Sequence, residues 1–480
     1  MKILRGLTAA IAAVGMAQAS SALASPEFTE QSKQFVTYQQ QEILLENLRL
    51  VDGSGAPAAE NQCILIRSGK IASTEHSGAC AASPGASRLD LGGKTVLPGF
   101  VMLHEHMFYN ASDPDWFIQS TQPVVFPRLY LAGGVTTART AGSFEPYTDL
   151  KVKQYIANGR LVGPNFDTTA PFIEGYPAQF LQAPELQTAE QAVTYVNYWA
   201  DQGMTSFKAY MNVKRSVLKA SIDAAHARGL KVAGHLCSVT YEEASDMGID
   251  NLEHGFLIAT DFVENRKPDT CGGFPLERFV EMELDSPEVQ ALMNKLIANN
   301  TAITSTLAVL ARISATVNPP NNAAIDVLGH AAKLHYLGNH VAGYARALEN
   351  DIWERAVRQE MAWEKAFHDK GGLVVTGSDT TGIGGTVAGF ANHELLKLLV
   401  EAGFSPLDAI KISTLNGAIS MDREDELGTV AVGKNADLIV IDGNPDININ
   451  DITRVVTVFK DGVGYDSKAL IEASKGRVEN

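Results

Sequence analysis

The feature of the sequence that most restricts its fold is a series of eight short apolar segments alternating with helix-like stretches. Apolar runs bounded by turn residues predict buried strands, and amphipathic stretches such as 215–228 and 352–370 predict helices. Eight such alternations predict an α/β fold with a closed (β/α)8 TIM barrel, a count that depends on the third segment. The predicted strands are the run that follows Pro98 and Gly99 and ends at Met107, and the segments 134–141, 166–172, 205–211, 231–236, 251–254, 302–307 and 373–379.

Strand-like segments also lie on both sides of this series. We expect the two groups to join in one small β-sandwich domain built from both chain ends. The segments are 43–51, 63–67, 71–73, 88–91 and 95–96 before the barrel, and 427–430, 436–442 and 455–461 after it. The predicted domains are 25–97 and 425–480 for the sandwich and 98–424 for the barrel.

Residues 1–24 have the pattern of a signal peptide. Lys2 and Arg5 give a basic start, a small apolar segment follows, and Ala22-Leu23-Ala24 fits a cleavage site before Ser25. No later segment has about 18 uninterrupted apolar residues, so we expect no membrane association after cleavage. The sequence therefore predicts a periplasmic or secreted protein.

Export matters for the four cysteines, because disulfides persist in oxidising compartments. Cys63 and Cys80 flank the predicted hairpin, and we expect this pair first. Cys237 and Cys271 both lie near predicted loops. Four free buried thiols are the alternative.

The charge balance restricts the partners. With 39 Lys and Arg against 55 Asp and Glu, the formal net charge is −16. An acidic surface disfavours nucleic acid and leaves a small molecule as the expected partner. Homo-oligomerisation is left open.

Four histidines, a lysine and an aspartate fall at the carboxyl ends of the predicted strands, where barrel enzymes hold their active sites. In a strand, residues i and i+2 face the same way, so His104 and His106 point together and Glu105 points away. Converging imidazoles suit a transition metal, most often zinc. The full set of candidate ligands is His104, His106, Lys208, His235, His254 and Asp379.

Each of these residues also has an ordinary structural interpretation. His235 and His254 could be hydrogen-bonded core histidines, and Lys208 could be a surface lysine with a buried stem. Asp379 could cap a turn. If Lys208 faces metal ions instead, reaction with carbon dioxide would give a carbamate, an anionic oxygen ligand able to bridge two cations.

Several motifs together resemble the amidohydrolase superfamily of metal-dependent hydrolases, in particular its dipeptidase and amidase branch. They are Leu-Pro-Gly-Phe-Val-Met-Leu-His-Glu-His (97–106), Phe-Lys-Ala-Tyr-Met (207–211), Gly-His-Leu (234–236), Glu-His-Gly (253–255), Gly-Ser-Asp-Thr (377–380), Asp-Gly-Ser-Gly (52–55) and the late segment 427–438. The resemblance covers nearly the whole mature chain.

The resemblance implies a barrel with a sandwich and a binuclear centre with two divalent ions, zinc first among them. It places His104, His106 and Asp379 on one metal, His235 and His254 on the other, and Lys208 between them as a carbamate. A shared, acidified water would attack a carbonyl carbon, and Asp379 would carry its proton to the leaving nitrogen.

We therefore expect hydrolysis of a linear amide, such as a dipeptide or an N-acyl amino acid. A cyclic amide or lactone hydrolase is the first alternative. The residues Ala-Tyr-Met that follow Lys208 are more similar to the sequence after the corresponding lysine in cyclic-amide hydrolases than to that in peptidase-like members. A mononuclear deaminase and a non-catalytic binding protein are further alternatives.

Substrate contacts are expected from the strand-to-helix loops. The aromatic segment 172–181 and the long insertion 257–287 could cap the site. Tyr210 shares the facing of Lys208 and could bind a substrate carbonyl or carboxylate, or could simply pack. Arg139, at the end of the second strand, could pair with a substrate carboxylate.

Overall fold

The structure is a computed structural model that describes residues 26–111, 118–314, 317, 319–381 and 385–479. The predicted signal peptide lies outside the described residues. Within them, no helix combines the length and the apolar character needed to cross a membrane.

The described chain alternates strands and helices throughout. The strands are β1 Val36–Tyr38, β2 Glu42–Leu50, β3 Ala59–Arg67, β4 Lys70–His76, β5 Ser87–Asp90, β6 Thr95–Pro98, β7 Phe100–Glu105, β8 Phe108–Ala111, β9 Ile118–Thr121, β10 Val135–Thr140, β11 Asn165–Asp167, β12 Ser206–Ala209, β13 Lys231–Gly234, β14 Asn251–Glu253, β15 Ala302–Ser305, β16 Val374–Thr376, β17 Leu438–Ile441, β18 Val455–Lys460 and β19 Val463–Asp466. The helices are α1 Glu30–Lys33, α2 Val125–Ala132, α3 Pro146–Ala157, α4 Ala189–Gln202, α5 Arg215–His226, α6 Tyr241–Asp246, α7 Leu276–Glu281, α8 Pro287–Ala298, α9 Leu307–Ser314, α10 Asn322–Val327, α11 His330–Glu349, α12 Ile352–Asp369, α13 Phe390–Glu401, α14 Pro406–Lys411, α15 Gly417–Ser420 and α16 Ser467–Glu472.

The eight strands predicted for the barrel are present and parallel, but they form two hydrogen-bonded sheets. Strands β7, β10 and β11 form one sheet, and β12 to β16 form the other in sequential order. Isolated parallel bridges such as Thr169–Ser206 lie between the sheets on one side, and the Asp379 N–H donates to the His104 carbonyl (3.0 Å) on the other. Among the described residues, the eight parallel strands do not form one continuous hydrogen-bonded ring, so the closed barrel stays a prediction.

The helices between these strands follow from local sequence signals, as α4 illustrates. The Thr188 hydroxyl accepts a hydrogen bond from the Gln191 N–H, which satisfies one free donor of the first turn. Gly203 ends the helix at φ 101°, a conformation that glycine adopts without steric cost. Val196 and Trp199 lie on one face and pack into the hydrophobic core that the helices share with the parallel strands.

Both chain ends form a single mixed sheet of nine strands. Its order is β1-β19-β18-β17-β6-β2-β3-β4, with β5 paired to β2. The Arg49 guanidinium of β2 donates to the Asp446 carboxylate at 2.6 Å, which links two segments almost 400 residues apart. Strands from both chain ends thus share one sheet, whereas the sandwich form and the domain bounds stay predictions.

The first parallel strand begins after Pro98 and Gly99, as predicted, because β6 of the nine-stranded sheet ends at Pro98 and β7 of the parallel sheet begins at Phe100. Other details differ from the sequence prediction. Residues 427–430 are irregular rather than a strand, and their backbone contacts instead include the Val430 N–H bonded to the Asp52 carbonyl. Strands β1, β8, β9 and β19 were not predicted.

All four cysteines are paired. The Cys63–Cys80 disulfide closes the β3–β4 region, which confirms the expected pair. The Cys237–Cys271 disulfide joins the residues after β13 to the long segment after β14. The alternative of four free thiols is therefore wrong.

Candidate metal centre and substrate cavity

The six candidate ligands meet in one cavity of about 200 Å³. All six lie within the last two residues of a parallel strand or within three residues after it, so the common edge of the sheets brings them together. They are His104 and His106 from β7, Lys208 from β12, His235 after β13, His254 after β14 and Asp379 after β16.

Three of these side chains are close enough to hold one metal ion. The His106 Nε2 lies 3.1 Å from an Asp379 carboxylate oxygen, and the His104 Nε2 lies 3.5 Å from the same oxygen. Their donor atoms all fall within 4.8 Å of one another. Two imidazoles and a carboxylate are a donor set that zinc and related metals accept.

The other two histidines lie beside this group. The His235 and His254 ring centroids are 4.5 Å apart, and the His254 ring is 4.7 Å from that of His104. The His254 Nδ1 is 3.8 Å from the second Asp379 oxygen, while the Thr306 hydroxyl lies 2.8 Å from the same nitrogen. Asp379 therefore stands between the two histidine pairs.

Two buried ring nitrogens support a ligand role. Among the described residues, the His106 Nδ1 and the His235 Nε2 have no hydrogen-bond partner. A buried nitrogen without a partner costs free energy, and a bound metal ion or its water would remove that cost. The residues present therefore fit a metal centre.

The electrostatics keep His106, His235 and His254 neutral, the form that binds metals. For His104, burial would lower the pKa, but the charges of Glu253 and Asp379 raise the pKa against that effect. Burial lowers the pKa of His106 to about 4. Burial, followed by the charge of Lys208, lowers the pKa of His235 to about 3. Burial also holds the pKa of His254 well below its ordinary value.

Lys208 is almost completely buried, and its surroundings favour the free amine. Burial lowers its pKa to about 8, against the attraction of Glu253 and Asp379. The Nζ atom lies 3.5 Å from a Glu253 oxygen. A buried amine that titrates near neutral pH is chemically unlike the snorkelling surface lysine of the alternative interpretation.

Glu253 is a site residue that the sequence prediction missed. Its fully buried carboxylate accepts from the His104 Nδ1 at 2.7 Å and from the Arg139 guanidinium at 3.0 Å. Burial would raise the pKa of this carboxyl, but the charges of Lys208 and His104 outweigh it and hold the pKa well below its usual range. The only sequence signal was its position beside His254.

The Arg139 side chain forms hydrogen bonds outside the cavity and is not part of the cavity lining. Its Nε donates to the Leu103 carbonyl at 2.9 Å, and its other contact is Glu253. The side chain borders a separate groove that also contains Asp167 and Lys231. These contacts do not support a substrate-carboxylate role for Arg139.

Glu105 has the opposite facing from the two histidines, as predicted, and fixes the β16 loop. Its carboxylate accepts from the Ser378 N–H at 3.0 Å and from the Asn392 amide at 2.7 Å. Burial raises its pKa to about 7. These contacts hold Ser378, the residue before Asp379, against β7.

The backbone at two candidate ligands is unusual. His254 and Asp379 have φ angles of 64° and 49°, in the left-handed region that residues with a Cβ seldom adopt. Gly377, two residues before Asp379, packs directly on His104, and any Cβ there would overlap it. Such strained or crowded positions cluster at functional sites, because the surrounding structure must hold them.

The remainder of the cavity is largely apolar, with Gln119 and Thr381 as polar members of its lining. Both predicted capping segments contribute, the first through Phe172 and Phe180 and the second through Leu257, Ile258 and Phe274. Tyr210 also lines the cavity, with its ring 4.8 Å from that of His235. Further lining comes from Phe108, Val309, Leu310, Ile313 and Trp353.

Parallel strands with histidine, lysine and aspartate at their carboxyl ends define the class of metal-dependent hydrolases. The chain belongs to the amidohydrolase family, whose model matches residues 95–464. It is therefore an enzyme of a family of hydrolases that act on carbon–nitrogen bonds.

Solved structures with this fold include two amide-bond hydrolases. One is described as a Xaa-Pro dipeptidase with bound methionine in the active site, at 20% identity and a TM-score of 0.65 over 88% of this chain and all of the other. The second is a bottromycin amidohydrolase, at 21% identity and a TM-score of 0.66 over 91% of both chains. At these identities the likeness concerns the fold.

Sequence similarity to curated relatives is local. An adenine deaminase from Klebsiella pneumoniae (strain 342) is 50% identical over 48 residues, which cover 10% of this chain and 8% of the relative. An N-substituted formamide deformylase from Arthrobacter pascens is 40% identical over 84 residues, which cover 17% of this chain and 15% of the relative. Each match thus spans far less than the length of the relative, and the activity of neither relative transfers to this protein.

Proposed function

We propose that the protein hydrolyses a linear amide bond, such as that of a dipeptide or an N-acyl amino acid, at a binuclear metal centre. The observation that carries the proposal is the meeting of all six candidate ligands in one largely apolar cavity. Divalent metal ions, zinc first among them, would supply an acidified water and polarise the scissile carbonyl.

In this proposal His104, His106 and Asp379 would hold one ion, and His235 and His254 would hold the second. Lys208, as a carbamate, would supply an anionic oxygen ligand. Its free amine attacks the carbon of carbon dioxide, so that a carbon–nitrogen bond forms while the electron pair of one C=O π bond moves to oxygen, and the nitrogen loses one proton to solvent. The lowered pKa of Lys208, about 8, supports this step because it keeps free amine available near neutral pH.

Asp379 is the proposed proton carrier. Its carboxylate lies between the two histidine pairs, where it can accept a proton from the attacking water. It then delivers that proton to the leaving nitrogen, which would otherwise depart as a very poor amide anion.

The cavity favours a substrate with an apolar group next to the amide. Phe172, Phe180, Phe274 and Trp353 would bury an aromatic or aliphatic side chain. Tyr210 stands between these rings and His235, so its hydroxyl is the proposed contact for a substrate carbonyl.

We further propose that the mature protein works in the periplasm or outside the cell. Its N-terminal segment has the pattern of a signal peptide, and its two disulfides are of the kind that persist in oxidising compartments.

The test is hydrolysis by the mature protein with zinc and bicarbonate. Dipeptides and N-acyl amino acids with apolar side chains are compared with cyclic imides, lactones and adenine, each with a chelated control. Chelator-sensitive release of a free amino acid supports the proposal. Turnover of ring substrates alone would favour the cyclic-amide alternative, and release of ammonia from adenine would favour the deaminase.

Replacing Lys208 by alanine removes the proposed bridging ligand. We expect bound metal to fall below two ions per chain and kcat/KM to fall at least about 100-fold, with partial recovery by short carboxylates and added metal. Metal content is measured by elemental analysis. Lys219→Ala, at an exposed lysine on α5, is the control; full activity in Lys208→Ala would exclude the carbamate.

A further inference from the structure

Helix α11 carries an exposed apolar surface outside the site. Five large side chains, here called the α11 stripe, project from it into solvent. They are Leu334 (61% exposed), Leu337 (39%), Val341 (67%), Tyr344 (52%) and Leu348 (76%). Folded monomers seldom expose contiguous apolar patches beyond a few hundred Å², and larger ones mark interaction sites.

The spacing of the α11 stripe is that of a helix that pairs with another helix. Its members follow one another at intervals of three, four, three and four residues, the a and d positions of a heptad. At 1.5 Å per residue the stripe is about 21 Å long. A face meant for water would carry charged side chains at these positions.

Small residues beside the stripe allow a close approach. Gly338, Ala342 and Ala345 are all exposed on the same side of α11. From residue 334 to residue 348 the one charged residue is Arg346, which is two residues from both Tyr344 and Leu348 and therefore does not share their face, so the stripe can be buried without burying an unpaired charge.

We propose that the α11 stripe is a dimer interface, with α11 of a second copy of this chain lying antiparallel across a two-fold axis near Val341. A two-fold interface uses the same patch on both copies, and the stripe is centred on Val341. In this register Leu334 lies opposite Leu348 of the second copy.

The charges that bound the stripe fit the same register. Lys333 precedes it and Glu349 follows it. An antiparallel pair centred on Val341 brings each Lys333 opposite Glu349 of the other copy, twice per dimer. A parallel pair would instead place like charges side by side, which disfavours that arrangement.

The first test is the mass in solution of the mature wild-type protein and two variants. Val341→Lys places two lysines at the axis, and we expect it to raise the dimer dissociation constant roughly 100-fold. Val432→Lys is the matched control, because Val432 has the same side chain at 63% exposure outside α11. Sedimentation at a series of concentrations gives the dissociation constants.

Dimers of the wild type and of Val432→Lys, with monomers of Val341→Lys, support the proposal. A monomeric wild type at all concentrations would overturn it, as would a Val341→Lys dimer of unchanged strength. Hydrolase activity and thermal unfolding of the variants show that they are folded.

A cross-link gives an independent readout of the axis. All four native cysteines are in disulfides, so Val341→Cys adds the one free thiol. A residue on a two-fold axis meets its own copy, so mild oxidation should produce covalent dimers of Val341→Cys and not of Val432→Cys. Equal cross-linking of both variants would contradict the register.

Discussion

At the residue scale, the candidate metal centre depends on partners that the sequence did not single out. The histidines were predictable because a strand points alternate residues to one face, and because polar residues recur at strand ends. Glu253 was not, because its contacts come from His104 and Arg139, which lie about 150 and 114 residues away. Contacts of that range depend on packing that no local pattern encodes.

Glu253 offers a test of how far the ligands depend on such a partner. Glu253→Gln keeps the shape but removes the charge that orients the His104 ring, so we expect metal affinity to fall about 10- to 100-fold. Competition with a chromogenic chelator measures that affinity. Glu242→Gln, at an exposed carboxyl on α6, is the control; equal affinities of all three proteins would show that Glu253 does not position the ligand.

At the element scale, α12 carries a pair of buried carboxyl groups behind the metal centre. Glu360 and Glu364 are one helical turn apart and fully buried, and Glu360 accepts from the Phe256 N–H at 2.8 Å. Gly255 leaves the space that these carboxyls occupy, since a Cβ there would overlap Glu360. The pair thereby fixes the segment that follows His254.

This pair makes stability depend on pH. Burial raises the pKa of Glu364 to about 7, so between about pH 4.5 and pH 7 the folded protein holds a proton that the unfolded chain has lost. Stability should therefore fall as pH rises through this range, by at most about 1.4 kcal/mol per pH unit for this group.

Glu364→Gln removes this titration while keeping a neutral side chain of the same shape. We expect its free energy of unfolding to gain on the wild type as pH rises from 5 to 7, as measured by urea unfolding. Glu401→Gln, at an exposed carboxyl on α13, should follow the wild type. A constant difference between Glu364→Gln and wild type at all pH values would contradict the assigned pKa.

The predictability of the elements themselves was uneven. Strand–helix alternation located all eight parallel strands, because buried strands are short apolar runs bounded by turns. Pro98 and Gly99 marked the start of the first of these strands, but the pairing of β6 with β17 and of β7 with β10 depends on distant segments that the local pattern does not show. Residues 427–430 have the composition of a strand but lack a neighbouring strand to pair with.

At the scale of the whole molecule, both chain ends share one sheet, and the site lies on the parallel strands between them. The two β regions were predictable from short apolar segments bounded by turn residues. The sequence did not reveal that β17 pairs with both β6 and β18, which places C-terminal strands between β1 and β6. Strand order of this kind is set by long-range pairing rather than by local preference.

The shared sheet also affects how the protein is made. Strand β2 is synthesised early, but β17 emerges only near the end of the chain, and the Arg49–Asp446 contact spans 397 residues. During synthesis the early strands must wait for their late neighbours, and long-range pairing of this kind is slow. The nine-stranded sheet can therefore form only after β17 to β19 have been synthesised. A chain that terminates before β17 leaves the early strands with unpaired edges.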